Sequence, residues 1–274
     1  MSALDPVREA QGRTIVLAER ARLAQFGAIE REQAELERAT QPGGLRSKLP
    51  LVEARSTELH ASLAPSERDA LSEYVMGNHR ALRALDMGAT PAQVLEFGLA
   101  RSLKEAEDLA TLLPDLRSAR KGLVVERPTR YGPLYRGINV ASEAALARLL
   151  TGESIEFIGS INSSSYLYQV AREFAGQGEG ARVILEIPDV DRAVSALYAS
   201  NDLKHEAEMI IGKTEFRIVS RNYDPDTNTY LFRLEQLTLT KDAAEQASKR
   251  PAPPPPGVGD LSKFISDGSD IRVK

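Results

Sequence analysis

Three short stretches in the second half of the chain carry residue types that could do chemistry together. The first is Arg136, in the apolar run Leu134-Tyr135-Arg136-Gly137-Ile138. An arginine at a strand end can fork onto a phosphate or carboxylate, and a neighbouring glycine lets a ligand approach the backbone. The second is Asn162-Ser163-Ser164-Ser165, which precedes YLYQVAREFAG. Its serines can cap the helix that this segment predicts. The third is Glu206-Ala207-Glu208, which leads into MIIGKTEFRIVS. At a strand start the side-chain period of two puts Glu206 and Glu208 on one side. Two carboxylates that close repel, shift in pKa and can divide labour, one stabilising a cation while the other takes a proton. Taken singly, each stretch also has a plain structural explanation: a surface arginine, a helix cap, a chance acidic pair.

The elements that must position these residues change character along the chain. Residues 6 to about 40 are rich in Ala, Glu, Arg, Gln and Leu, with loose apolar spacing that ends at Gln41-Pro42-Gly43-Gly44. They read as a solvated helical arm. Between residues 64 and 120, three or four packed helices are expected. Pro65 fits a first helical position, and Leu71, Tyr74, Val75, Leu82 and Leu85 then line one face. Thr90-Pro91-Ala92-Gln93 and Ser102-Leu103-Lys104-Glu105 are capping signals. From about residue 131 the period becomes strand-like. Segments 134–138, 155–157, 181–187, 208–211, 216–220 and 230–240 read as strands, and Ser142 caps a helix closed by Gly152. Tyr230, Phe232 and Leu234 have one parity and Leu237 and Leu239 the other, which predicts a bulge or bend. Beyond Lys241 a run of prolines over residues 251–256 predicts a spacer, and the last fifteen residues look too polar and short for a core.

Composition narrows the chemistry. The 274 residues contain no Cys, which excludes disulfides, thiolate metal sites and a cysteine nucleophile. Only His60, His79 and His205 are present, too dispersed for a histidine-built metal centre. A net charge of −4 gives no bulk attraction to nucleic acid or to an anionic membrane. No apolar run is long enough to span a bilayer, and the N-terminus lacks the layout of a signal peptide.

In combination, an Arg, then S-x-S, then E-x-E, each at a strand edge and in this order, resembles the R-S-E class of mono-ADP-ribosyltransferases found among bacterial toxins, effectors and bacteriophage enzymes. LYRGI looks like the first strand of that family, NSSSYLYQVAREFA like its strand-to-helix block, and HEAEMIIGKTEFRIVS like its E-x-E ending. LAPSERDALSEYVMGNHRALRAL is similar to the adenosine-side helix before the sheet. Ile161 stands where an aromatic is common, Ser164 where Thr is usual, and Asn78 lies four rather than three residues before Leu82-Arg83. Asn78 is expected to hydrogen-bond inside the helical layer instead.

The resemblance implies an α+β fold, with an N-terminal helical layer packed on a mixed β-sandwich core of the ADP-ribosyltransferase type over residues 63–242. The arm (1–62) and a disordered Pro-rich tail (243–274) lie outside it, and residues 1–55 and 245–274 are expected to be dispensable for NAD+ cleavage. It further implies NAD+ as co-substrate, no metal, and nicotinamide as leaving group. Glu208 would stabilise the ribose oxocarbenium ion, Ser163 would orient Glu208, Arg136 would clamp the pyrophosphate, and the Gly137 backbone would grip the nicotinamide amide. Glu206 points to an arginine acceptor on a host or target protein, recognised by a loop from Ser195 to His205 with Tyr198 exposed. The expected setting is the cytoplasm of a target cell, after delivery by a phage particle or a secretion machine. Competing readings are an NAD glycohydrolase, transfer to nucleic acid or NAD-capped RNA, and a non-catalytic virion or scaffold protein.

Overall fold

The computed structural model describes residues 6–23, 45–157, 162–196, 207–237 and 271–274. Ile161, Tyr198, His205, Glu206, Leu239, the proline run and residues 238–270 lie outside the described residues, as does most of the Ser195–His205 loop. Among the described residues, α1 (Pro6–Leu23) and α2 (Leu45–Ala61) lead in. A helical layer follows: α3 (Pro65–Glu73), α4 (His79–Asp86), α5 (Pro91–Glu96), α6 (Leu103–Thr111) and α7 (Leu113–Gly122). The layer has five helices where three or four are expected. Pro114 accounts for one extra boundary, because its ring and missing N–H cannot continue α6. Thr90 and Ser102 cap α5 and α6 through Gln93 N–H and Glu105 N–H, as their spacing predicts.

Among the described residues, ten strands then form one hydrogen-bonded ladder. They are β1 (Val124–Glu126), β2 (Leu134–Val140), β3 (Ser154–Phe157), β4 (Asn162–Ser165), β5 (Ala181–Ile187), β6 (Arg192–Ser195), β7 (Glu208–Ile211), β8 (Thr214–Asp224), β9 (Thr229–Gln236) and β10 (Ile271–Val273). Helix α8 (Glu143–Thr151) precedes β3, and α9 (Tyr168–Ala175) precedes β5. The spatial order is β1-β6-β7-β4-β2-β5-β9-β8-β3-β10, and β5 against β9 is the parallel pair that makes the sheet mixed. The ladder folds over on itself. Four strand steps of about 4.8 Å would hold β2 and β3 roughly 19 Å apart in a flat sheet. Yet the Arg136 guanidinium of β2 lies 5.6 Å over the Phe157 ring of β3. The two halves thus enclose one core, to which Leu134, Ile138, Phe157, Met209, Phe216 and Phe232 all contribute. The helical layer covers the outer side of the β6–β7 half, where Val194 and Ile210 join Leu71, Tyr74 and Leu82.

Both chain termini depart from the sequence expectation. Helix α1 is docked, not solvated: Val16 is 1% exposed and Leu23 is buried with it in the sheet core. Gly12 makes the close approach possible, since a Cβ there would stand 2.6 Å from the backbone nitrogen of Ala144 in α8. Glu9 accepts from Ser142 Oγ (2.6 Å) and Glu143 N–H (3.0 Å), so it caps α8 from a distance. The final residues are likewise not free. β10 pairs antiparallel with β3, and Ile271 is 7% exposed. The strand expected over 230–240 ends at Gln236, so Leu237 lies past it and Leu239 outside the described residues; the bulge in this ladder is on the opposite strand, between Ile218 and Ser220 of β8. Among the described residues no helix is long and apolar enough to cross a membrane.

Candidate active site

β4 sits between β7 and β2, and this placement puts Arg136, Ser163 and Glu208, one residue from each of the three stretches, on adjacent strands. On the β7 side the register runs Asn162 to Ser165 against Ile211 to Glu208, so Glu208 lies opposite Ser165 and Ser163 opposite Ile210. On the β2 side the pairing consists of Tyr135 against Ser165. A continued ladder would place Gly137 opposite Ser163; instead β2 and β4 part. The Arg136 side chain bridges the gap, its Nη1 donating to the Ser163 carbonyl at 2.5 Å. The serines make a strand and not the helix cap their types suggest, because Asn162 Nδ2 and Ser164 Oγ donate to the carbonyls of Ile211 and Met209. Ser165 alone touches the next helix's approach, accepting from Leu167 N–H.

Arg136 is 4% exposed and shares the inner face of β2 with Leu134 and Ile138. Burial and the nearby Arg83 guanidinium pull its pKa down to about 9, against the pull of Tyr74 and Glu208. It stays cationic at neutral pH. Gly137 faces the other way. A Cβ there would lie within bonding distance of the Ala171 carbonyl, so this glycine is required by the packing of α9 on the sheet. β7 begins at Glu208. Ala207 before it is buried and left-handed (φ 47°), and Glu206 lies outside the described residues.

The helical layer supplies three residues that the sequence did not single out as functional. The Tyr74 hydroxyl shares a 2.5 Å hydrogen bond with Ser163 Oγ. Burial and then Glu208 push its pKa up to about 12, which keeps it a neutral hydroxyl. Arg83 is buried beside Tyr74 and Glu208. His79 packs edge-on against Tyr74, ring centroids 6.4 Å apart. Tyr74 was visible only as one apolar-face residue, and Arg83 only as half of a Leu-Arg pair. Nothing in their spacing reports a sheet 89 residues away. Asn78 is turned outward to Glu73 Oε2 (2.7 Å), not into the layer, because the helix is interrupted just before it.

Burial, then Arg83, Arg80 and Arg136, lower the His79 pKa to about 4. The unfolded chain takes up that proton near pH 6.5, so between about 6.5 and 4 it binds more protons than the folded chain. Stability therefore falls as pH drops through this window, by up to about 3 kcal/mol. Urea unfolding at pH 7 and pH 4.5 should show that His79→Gln removes this part of the pH dependence. An identical slope in both proteins would place the acid sensitivity elsewhere.

A buried carboxylate-facing pair of guanidiniums, a tyrosine hydroxyl and a serine thus converge where two strands separate. No protein-family model and no curated protein sequence matches the chain. Solved structures do. Vis toxin, an ADP-ribosyltransferase from Vibrio splendidus, superposes with a TM-score of 0.50 at 18% identity, over 74% of this chain and 90% of the toxin. Vis in complex with the M6 inhibitor gives a TM-score of 0.51 at 17% identity, over 79% and 89%. The fold is that of the ADP-ribosyltransferases. In this ADP-ribosyltransferase fold, Arg136, Ser163 and Glu208 lie on the adjacent strands β2, β4 and β7, while Glu206 and Tyr198 fall outside the described residues.

Proposed function

We propose that the chain is a mono-ADP-ribosyltransferase that moves ADP-ribose from NAD+ to an arginine of a target protein and releases nicotinamide. The observation that carries this reading is the meeting of Arg136, Ser163 and Glu208 where β2 and β4 part, beneath Tyr74 and Arg83. The donor set fits a dinucleotide. Two guanidiniums offer planar paired donors to a diphosphate, and one carboxylate offers acceptors to a ribose. Arg136 commits Nη1 to the Ser163 carbonyl, so it holds the strand pair and presents its charge together.

In the reaction, the C–N bond between ribose and nicotinamide breaks and nicotinamide leaves neutral. Glu208 accepts from the ribose 2′-OH and stabilises the cation that develops at the anomeric carbon. A guanidine nitrogen of the target forms the new C–N bond, and its proton passes to Glu206. A soluble protein inside a target cell is the setting this chemistry suits, since NAD+ is the donor.

Glu206→Gln tests the acceptor half. It keeps size and an acceptor oxygen but loses the base and the charge that pairs with arginine. Transfer to protein arginine should fall about 10²–10⁴-fold while NAD+ hydrolysis persists. Labelled NAD+ with host lysate and mass spectrometry of the modified residue measures both. Equal loss of both activities assigns Glu206 to the donor site. Label on another residue type or on RNA sinks the arginine assignment, and free ADP-ribose alone makes the parent a glycohydrolase.

A further inference from the structure

One of the breaks in the helical layer, the one between α3 and α4, faces the site. Between α3 and α4 the chain makes a π-turn over Tyr74–Asn78 that kinks the two helices apart at Gly77, whose φ of 119° and ψ of −9° are not helical. That conformation needs glycine for its backbone alone, because a Cβ on Gly77 would meet nothing within 4 Å. A π-turn absorbs one extra residue, and such turns often sit at functional sites.

The extra residue has a geometric consequence. At about 100° per residue, the stripe of an unbroken helix passing through Tyr74 would continue through Asn78 and Leu82. Here the stripe continues through His79, whose ring packs against Tyr74, and then Arg83 four positions on. Asn78 is displaced to the surface and bonds Glu73. Without the turn, Tyr74 and Arg83 would be nine helical positions apart, on opposite faces. With it they are eight steps apart in effect and point to one side. Both then act on Glu208 and Arg136 from the same wall.

We propose that the Tyr74–Asn78 π-turn, hinged on Gly77, is a register device that puts Tyr74, His79 and Arg83 on one stripe facing Glu208 and Arg136. Its part in NAD+ binding rests on the donor reading above: the stripe is the cationic wall against which a diphosphate would lie. Gly77 is a positioning residue, since it touches none of these groups.

Two full-length variants separate this from a plain loop role. Gly77→Ala forbids the positive φ, so the segment must return to a regular path and rotate Arg83 away from Tyr74. Deletion of Gly77 removes the extra residue, lets residues 65–86 run as one helix, and keeps the eight-step relation. The expected results are opposite. KM for NAD+ rises about tenfold or more in Gly77→Ala and stays near the parental value in the deletion, whose melting temperature does not fall. A readout independent of activity is Tyr74→Phe, which removes the bond to Ser163. It should lower the melting temperature by about 2–4 °C in the parent and in the deletion, but not in Gly77→Ala. Loss of the Tyr74→Phe effect in the deletion, or its persistence in Gly77→Ala, overturns the register proposal. If the parent neither binds nor cleaves NAD+, the donor reading fails, and the melting-temperature comparison still judges the register.

Discussion

Glu208→Gln should lower NAD+ cleavage by about 10³-fold, whether water or a protein arginine is the acceptor, while the protein stays folded. The argument is one of charge at the right moment. The carboxylate lies at the start of β7, opposite Ser165, and interacts with both buried guanidiniums and the Tyr74 hydroxyl. Gln retains the shape and one acceptor, so ground-state contacts change little. In the proposed reaction, what is lost is the negative charge that answers the positive ribose of the transition state. That loss is about 4 kcal/mol in barrier height. The same substitution also removes a counter-charge from Arg83 and Arg136, which costs stability on the order of 1–2 kcal/mol. The barrier effect is the larger, so a folded but inactive protein is expected. Circular dichroism and nicotinamide release, measured on one preparation, check it. Parental turnover in the folded variant would remove Glu208 from the reaction.

Removing residues 1–23 should lower the melting temperature by roughly 10–20 °C. A solvated arm would be removable without effect. The docked α1 buries Val16 and Leu23, each contributing about 1.5–3 kcal/mol. It also caps α8 through Glu9, and Arg20 donates to the Tyr230 hydroxyl while lying 5.4 and 5.6 Å over the Tyr223 and Tyr230 rings. For a domain of this size each kcal/mol moves the midpoint by about 2–4 °C. Gly12→Ala gives a test of sign. In a solvated helix it would stabilise by about 0.5–1 kcal/mol. Against the Ala144 backbone it should destabilise by about 1–3 kcal/mol. A rise in midpoint, or a truncation with an unchanged midpoint, would show that α1 is undocked in solution.

Short-range physics was legible in the residues. The caps at Thr90, Ser102 and Ser142 lie where their spacing to the receiving N–H predicts. β5 and β7 span the segments that alternation or apolar runs mark out, and the order Arg, Ser, Glu named three residues that β2, β4 and β7 bring together. The caps depend on bonds between residues a few positions apart, and the strands show in the period of their own residues, so both follow from local sequence. The rest depended on partners far along the chain. The parting of β2 from β4 turns on which strands pair, and no residue of either records that choice. Tyr74 became a site residue because Ser163 arrives opposite it; as one more apolar-face position it carries no such mark. The polar character of α1 and of the last residues argued for solvent. A few buried side chains and one glycine contact bind them to the core, because tertiary burial of Val16, Leu23 and Ile271 outweighs a weak periodicity that a short or mostly polar segment cannot display.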